Sequence, residues 1–303
     1  MKKLILFLSL FGLLSCKENT VLSPNVSKGN ITSSDFYNNV LFIAGNNYQI
    51  QTSESGKFKA LNNDTNGFSI TESGLIKAVP NPRTNQKVEI TWDDNSKLTF
   101  YIIFSTNSLI SQQFLMGWKN IENLYKTDLK YAIVLRHADA DIGVDGGSGL
   151  FEKLPPEWWK SCDSKLARQM NDQGKLRSAE LGKVFINNKL PIGKIISSEF
   201  CRVKTTAELM NISLPVNLDS RLNHSYQGFK GPTIITAGEI LLENKADKKS
   251  LLIASHLEIL GNSLTFEWMA TYLLRIEKDN NFTFQGTIPY SNWLLWNEIQ
   301  NNK

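Results

Sequence analysis

The chain has 303 residues, of which 41% are apolar and 20% charged, and its formal net charge is +4. That length forms one large or two modest domains and needs no disulfide or metal staple to hold a core. The balanced charge, with no dense basic block, excludes a dedicated nucleic-acid or polyanion binder.

Lys2 and Lys3 precede an apolar run from Leu4 to Leu14, too short to cross a bilayer as a helix, which ends in Leu13-Leu14-Ser15-Cys16. The pattern resembles a bacterial lipoprotein signal, in which residues 1–15 are removed and Cys16 is lipidated as the mature N-terminus. The alternative is an ordinary secretory signal with a chance cysteine. No aspartate follows Cys16, so the expectation is lipid anchoring in the cell envelope at the outer membrane, on its periplasmic or its surface side. Residues 16–34, rich in Ser, Asn, Thr and Lys, read as the lipidated cysteine and a flexible tether. Cys162 and Cys201 are the remaining cysteines, and whether they pair is open.

From 35 to 107 the pattern is one of short alternating segments, among them Val40-Leu-Phe-Ile, Lys57-Phe-Lys-Ala-Leu, Val88-Glu-Ile-Thr-Trp and Leu98-Thr-Phe-Tyr-Ile-Ile-Phe, punctuated by Asn, Asp and Pro clusters. Seven short strands with turn chemistry between them predict a small all-β sandwich. Its architecture resembles the immunoglobulin-like modules of bacterial surface proteins. Asp64, Asp93 and Asp94 fall in the turns and read as turn residues rather than calcium ligands. Residues 108–125 predict a connecting helix with Leu109, Phe114, Leu115, Trp118 and Ile121 on its apolar face.

Strands then alternate with helices through 126–303, which predicts right-handed crossovers and an α/β domain whose sheet is mostly parallel, with helices on both faces. The unbroken apolar run Tyr131-Ala-Ile-Val-Leu-Arg-His-Ala138 reads as a buried central strand ending in Arg136 and His137. A long loop, 139–163, holds Gly143-Val-Asp-Gly-Gly-Ser-Gly149 and the Trp158-Trp159 pair, which reads as a lid or a packing corner. A helix follows at about 174–188. A second strand, Lys194-Ile-Ile-Ser-Ser198, leads to Arg202 and a helix. A third, Ser250-Leu-Leu-Ile-Ala-Ser255, ends at His256, and an amphipathic helix is expected from about Leu260 to Leu274. Open α/β sheets bind ligands at the carboxyl ends of their strands. Three such ends carry Arg136-His137, Arg202 and His256, so two of the three histidines of the chain lie there.

Leu135-Arg-His-Ala138 resembles the Arg-His-Gly signature of the histidine phosphatase superfamily, with Ala138 in the glycine position. Ser197-Ser-Glu-Phe-Cys-Arg-Val-Lys-Thr-Thr-Ala-Glu-Leu209 resembles its second motif and Ile253-Ala-Ser-His256 its third, across about 130–300. The resemblance implies a phosphomonoester hydrolase with His137 as nucleophile, a phosphohistidine intermediate, and Arg136, Arg202 and His256 holding the phosphate oxygens. It implies neither metal nor other cofactor. Arginine forks suit a phosphate, and the neighbouring cations keep an imidazole neutral enough to attack.

The acid that protonates the leaving oxygen is open between Glu258, Asp139 and His224. Related mutases use a glutamate in an Arg-Leu-Asn-Glu stretch, and this chain reads Arg221-Leu-Asn-His224 there. A faint calcium-loop pattern, Asp141-x-Gly-x-Asp-Gly146 with Glu152, has glycine at its third ligand position and no helix before it, so no calcium is expected. The expected partners are a phosphorylated small molecule or glycan, and a membrane through the lipid anchor. The competing reading is a non-catalytic phosphoglycan-binding surface lipoprotein. A chain begun near Ser108 is expected to fold by itself, since each region has apolar residues for its own core.

Overall fold

A computed structural model describes residues 25–302, apart from 28–29, 34–35, 45–46, 53, 62–67, 79–84, 106–107, 127, 144, 146–154, 226–230 and 261–266. The signal segment 1–15, Cys16 and the tether to residue 24 lie outside the described residues, as do Asp64 and Glu152. No helix among the described residues is long and apolar enough to cross a membrane.

The first half is strand-rich. In chain order come β1 (Asn25–Ser27), β2 (Asn30–Thr32), β3 (Phe36–Tyr37), β4 (Val40–Ala44), β5 (Asn47–Gln49), β6 (Gln51–Thr52), β7 (Gly56–Ala60), β8 (Phe68–Ile70), β9 (Leu75–Ala78), β10 (Asn85–Trp92) and β11 (Lys97–Ser105). They form a five-stranded sheet in the order β3-β4-β11-β10-β7 and two three-stranded sheets, β2-β1-β6 and β5-β9-β8. β1 and β2 pair within the segment expected as tether, and Ile31 is buried, so the chain is already ordered there. β4 and β11 run parallel, and among the described residues the strands fall in three sheets, so an immunoglobulin-like sandwich is not shown. Asp94 is a turn residue: its Oδ1 accepts from the backbone N–H and the hydroxyl of Ser96.

Alternation along β4 and β11 sends side chains to both faces of the five-stranded sheet. Leu41, Ile43, Phe100, Ile102 and Phe104 pack into a core with Ile50, Phe58, Ile76 and Trp92. Val40, Phe42, Tyr101 and Ile103 instead join the large core of the second half. There α1 (Ser108–Ile121), extended by a 3-10 turn over Glu122–Tyr125, lays Phe114 and Trp118 against them, with Phe42 edge-on to Trp118 at 6.1 Å. Tyr101 donates to Glu298 and Tyr37 to Glu122 across the same seam. The two halves therefore share a core. Burial of a large apolar side chain is worth about 1.5–3 kcal/mol, so uncovering several of them exceeds much of a domain's net ~5–15 kcal/mol. The expectation that a chain begun near Ser108 folds alone does not fit this packing.

The second half is built on β12 (Tyr131–Arg136), β13 (Ile192–Ser197), β14 (Val216–Leu218), β15 (Ser250–Ser255), β16 (Thr271–Ile276) and β17 (Phe282–Ile288), in the order β14-β13-β15-β12-β16-β17. The first four in that order are parallel; β16 runs antiparallel to β12 and to β17. Tyr131, Ile133 and Leu135 face the core shared with α2 (Asp172–Asn187), α3 (Cys201–Leu209) and α5 (Tyr290–Asn301). Ala132 and Val134 face the core under α4 (Ile234–Glu243). α1 lies so close to β17 that a Cβ on Gly117 would meet the Thr287 carbonyl at 2.4 Å.

Of the helix expected over about Leu260–Leu274, residues 261–266 lie outside the described residues; among the described ones a 3-10 turn covers Leu257–Leu260, and Thr271–Ile276 is strand. Met269, Tyr272, Leu273 and Leu274 are all buried, on both faces of the sheet, so their spacing reflects a central strand rather than one helical stripe.

Candidate active site

Three adjacent parallel strands end level with one another. Arg136 pairs in register with Ser255, and Ser197 with Ala254. One residue further, the His137 N–H donates to the Ser255 carbonyl and the Ser198 N–H to the Ala254 carbonyl. His137, His256 and Ser198 thus leave the sheet side by side, at the carboxyl edge where such folds collect ligands.

His137 is buried, and its Nδ1 lies 2.8 Å from the Ala138 carbonyl, which can only accept. The proton is therefore on Nδ1 and the lone pair on Nε2, toward which Arg202 Nε points from 3.4 Å. Burial, then Arg202, Arg136 and Arg168, hold the imidazole pKa well below its usual value against the opposing pull of the Ala138 carbonyl. The Ala138 N–H donates to Thr206 Oγ1, whose hydroxyl donates to the Arg202 carbonyl, so α3 pins the backbone behind the histidine. On the other side Gly174 lets α2 approach: a Cβ there would lie 2.3 Å from the Asp139 carbonyl.

Arg202 sits in the first turn of α3 with its side chain fully buried over the Phe200 ring. Its Nη1 donates to Asp145 Oδ1 at 2.7 Å, and Asp145 also faces Arg168. Its Nη2 is buried with no hydrogen-bond partner among the described residues. Burial lowers the guanidinium pKa to about 10, with Asp145 opposing and Arg168 adding. Arg136 stacks on the ring of Trp268 at 3.7 Å, and that ring also stands 5.1 Å from His137. Cys162 and Cys201 form a disulfide, which ties the long loop to the residue beside Arg202.

His256 is fully buried, edge-on to His137 with ring centroids 5.4 Å apart. Its Nε2 is 3.0 Å from Ser198 Oγ, and its Nδ1 has no partner among the described residues. Burial, then Arg202, His137, His224 and Arg168, push its pKa well below the usual histidine value. Behind Ser198 stands buried Asn223, which bridges Ser198 and Glu199.

The three acid candidates part company. Asp139 turns to Arg177 Nη1, at 3.0 and 3.1 Å. Glu258 and His224 come together: Glu258 Oε1 lies 3.2 Å from His224 Nδ1 and accepts from the Ser225 hydroxyl at 2.5 Å. The His224 ring is 5.3 Å from that of His256, and Glu258 Oε2 is buried without a partner among the described residues. Trp158 is a packing corner, buried against Phe200, and Trp159 donates to Glu199.

Sequence reasoning passed over Asp145, Ser198, Asn223 and Trp268. Asp145 was inside the pattern weighed for calcium, but its carboxylate is spent on Arg202 and Arg168. Ser198 and Asn223 lay within motif stretches without a role, and Trp268 carried no signal. A surface hollow of about 220 Å³ beside Glu208, Asn211 and Val216 lies beyond the far end of α3 and includes none of these residues.

No protein-family model and no curated protein matches the chain. Among solved structures it is similar to the protein histidine phosphatase SixA complexed with tungstate, with TM-score 0.38 and 17% identity over 54% of this chain and 98% of that one. It is also similar to a phosphoserine phosphatase mutant from Entamoeba histolytica in complex with phosphoserine, with TM-score 0.37 and 11% identity over 54% of this chain and 98% of that one. A third is a mycobacterial glucosyl-3-phosphoglycerate phosphatase complexed with VO3, with TM-score 0.35 and 14% identity over 51% of this chain and 96% of that one. These neighbours are histidine phosphatase superfamily members and match about half of the chain.

Proposed function

We propose that the chain is a phosphomonoester hydrolase working through a phosphohistidine at His137. One observation carries this: among the described residues Arg202 Nη2 and His256 Nδ1 are buried without partners, on either side of a histidine whose Nδ1 is hydrogen-bonded to a carbonyl and whose Nε2 bears the lone pair, with Arg202 Nε 3.4 Å away. Leaving a buried polar atom unpaired costs about 1–3 kcal/mol, and a tetrahedral oxyanion would accept from Nη2 directly and from Nδ1 once that nitrogen is protonated. His137 Nε2 attacks phosphorus in line; Arg136, Arg202 and His256 take the equatorial oxygens and offset the charge that phosphoryl transfer spreads over them. Glu258, beside His224, is the acid for the leaving oxygen, since Asp139 is engaged by Arg177. Water then attacks the phosphohistidine. Guanidinium and imidazolium groups supply the positive charge, so turnover survives chelators.

The substrate is a phosphorylated small molecule or glycan of the cell envelope, reached by a lipid anchor on Cys16. The disulfide supports an exported location, since such bonds persist in oxidising compartments. The test is to mix the protein with an aryl phosphate, quench in alkali and map the phosphate by mass spectrometry. Phosphate on the His137 peptide is expected. Turnover with no phosphoenzyme would refute the covalent route, and ester binding without turnover would leave a phosphoglycan-binding protein.

A further inference from the structure

The hydrogen bonds behind His256 decide which of its nitrogens bears the proton. The Glu199 backbone N–H donates to Asn223 Oδ1 at 2.9 Å, and Asn223 Nδ2 donates to Glu199 Oε2 at 2.9 Å. A flipped amide would set donor against donor and acceptor against carboxylate, so Oδ1 is the acceptor. Glu199 is ionised: burial pushes its pKa up, but bonds from Asn223, Trp159 and Lys160 outweigh it and hold the carboxyl below its usual value. Ser198 Oγ lies 2.9 Å from Asn223 Oδ1, so its one proton goes there, and it accepts from the Phe200 N–H at 3.3 Å. Toward His256 Nε2, 3.0 Å away, Ser198 has only an acceptor to offer. Nε2 therefore carries hydrogen, and in the neutral ring the buried Nδ1 is a bare lone pair.

We propose that Glu199, Asn223 and Ser198 are positioning residues that lock His256 in the Nε2–H tautomer, so that it engages a tetrahedral oxyanion only as imidazolium and each anion bound brings in one proton. The inference rests on the reading of this pocket as a phosphate site. The proton comes from solvent and adds to the Nδ1 lone pair; no other bond changes. The groups acting on His256 are His137 from the end of β12, Arg202 from α3, Arg168 from the segment before α2 and His224 from the loop after β14, with Glu258 from the loop after β15 paired to His224. Asp145 is bonded to Arg202. The surrounding cations keep the free imidazole neutral, and a bound dianion reverses the local field and favours the imidazolium.

Tungstate is a suitable probe, because it remains a dianion across neutral pH and adds no titration of its own. Its affinity for the full chain, measured from pH 6 to 9, is expected to fall about tenfold per pH unit once His256 must be protonated on binding. Titration in buffers of different ionisation enthalpy should give one proton taken up per ion. Long-range nitrogen NMR should show His137 as Nδ1–H and His256 as Nε2–H in the free protein, with His256 doubly protonated in the complex. In Ser198→Ala the lock is gone, Nδ1 carries the hydrogen in the neutral ring, and both the pH slope and the proton uptake should shrink; Ser198→Thr should restore them. Tungstate binding with no proton uptake, or a free His256 in the Nδ1–H form, would overturn the coupling alone. Failure to bind tungstate at any pH would remove the anion site and both readings with it.

Discussion

The two sides of the pocket hold their histidines by opposite means. On the β12 side, His137 donates through Nδ1 to a backbone carbonyl one residue away, and its unprotonated nitrogen is Nε2, toward which Arg202 Nε points. On the β13–β15 side, His256 is held through Nε2 by a side-chain chain running to Glu199, and among the described residues its Nδ1 has no partner. A backbone partner is present whatever the neighbouring side chains are, whereas a side-chain partner can be removed one atom at a time. Both rings are kept neutral by burial and arginines, yet one needs neutrality to attack and the other must lose it to hold an anion. The same electrostatic setting therefore serves two different roles, and hydrogen-bond geometry separates them.

The largest expected difference follows from removing each ring. His137→Ala removes the nucleophile, and kcat for an aryl phosphate should fall on the order of 10⁴-fold or more, with no phosphoenzyme left. His256→Ala removes one charge-stabilising donor and should cost about 10²–10³ in kcat while the His137 phosphoenzyme still forms. Equal losses in the two variants, measured with the same substrate, would erase the proposed division of labour.

Arg202 also carries a counter-charge bonded directly to it, whereas on the β12 side Asp139 is bonded to Arg177. Asp145 sits on Arg202 Nη1, where a phosphate oxygen would compete for the same donor. Asp145→Asn should tighten inhibition by inorganic phosphate about tenfold, equivalent to ~1.4 kcal/mol, at unchanged kcat for a good leaving group. Weaker phosphate binding in the variant would mean that the carboxylate orders Arg202 rather than competing for it.

This asymmetry also marks what could be read from sequence. The strand ends were legible because β12 and β15 are unbroken apolar runs, and a charged or polar residue at the end of such a run has one place to go. The backbone bond of His137 needs no distant partner. Asn223 and Glu199, by contrast, meet only because the loop after β14 folds over the start of α3, which no local spacing records. Asp145 was hidden by a pattern with another meaning, and the disulfide joins residues separated by 39 in sequence. The shared core failed to show because alternation along β4 and β11 predicts two apolar faces without saying what covers each. The helix expected after His256 failed because a strand buried on both faces can mimic helical spacing over a few residues.

The smallest expected effect concerns a carboxyl on the β12 side. Glu267 precedes Trp268 and lies near Arg177 and Asp139. Burial lifts its pKa to about 7; Arg177 and the Ser291 N–H oppose this, and Asp139 adds to it. A carboxyl raised from its ordinary 4.5 ionises earlier in the unfolded chain than in the folded one. Its contribution to stability is therefore present at low pH and is lost as pH rises from about 4.5 through 7. His137 and His256, lowered from 6.5, act the other way: their contribution is full above that value and is lost as pH falls below it. Glu267→Gln keeps the shape and removes the charge, so urea unfolding should show it more stable than the parent at pH 8 and little changed at pH 5. The gain should be on the order of 1 kcal/mol, less than the full displacement implies, because water reaches the half-buried carboxyl. A difference that stays flat from pH 5 to pH 8 would make Glu267 an ionised partner of Arg177, and the β12 side would then carry a second counter-charge beside Asp139.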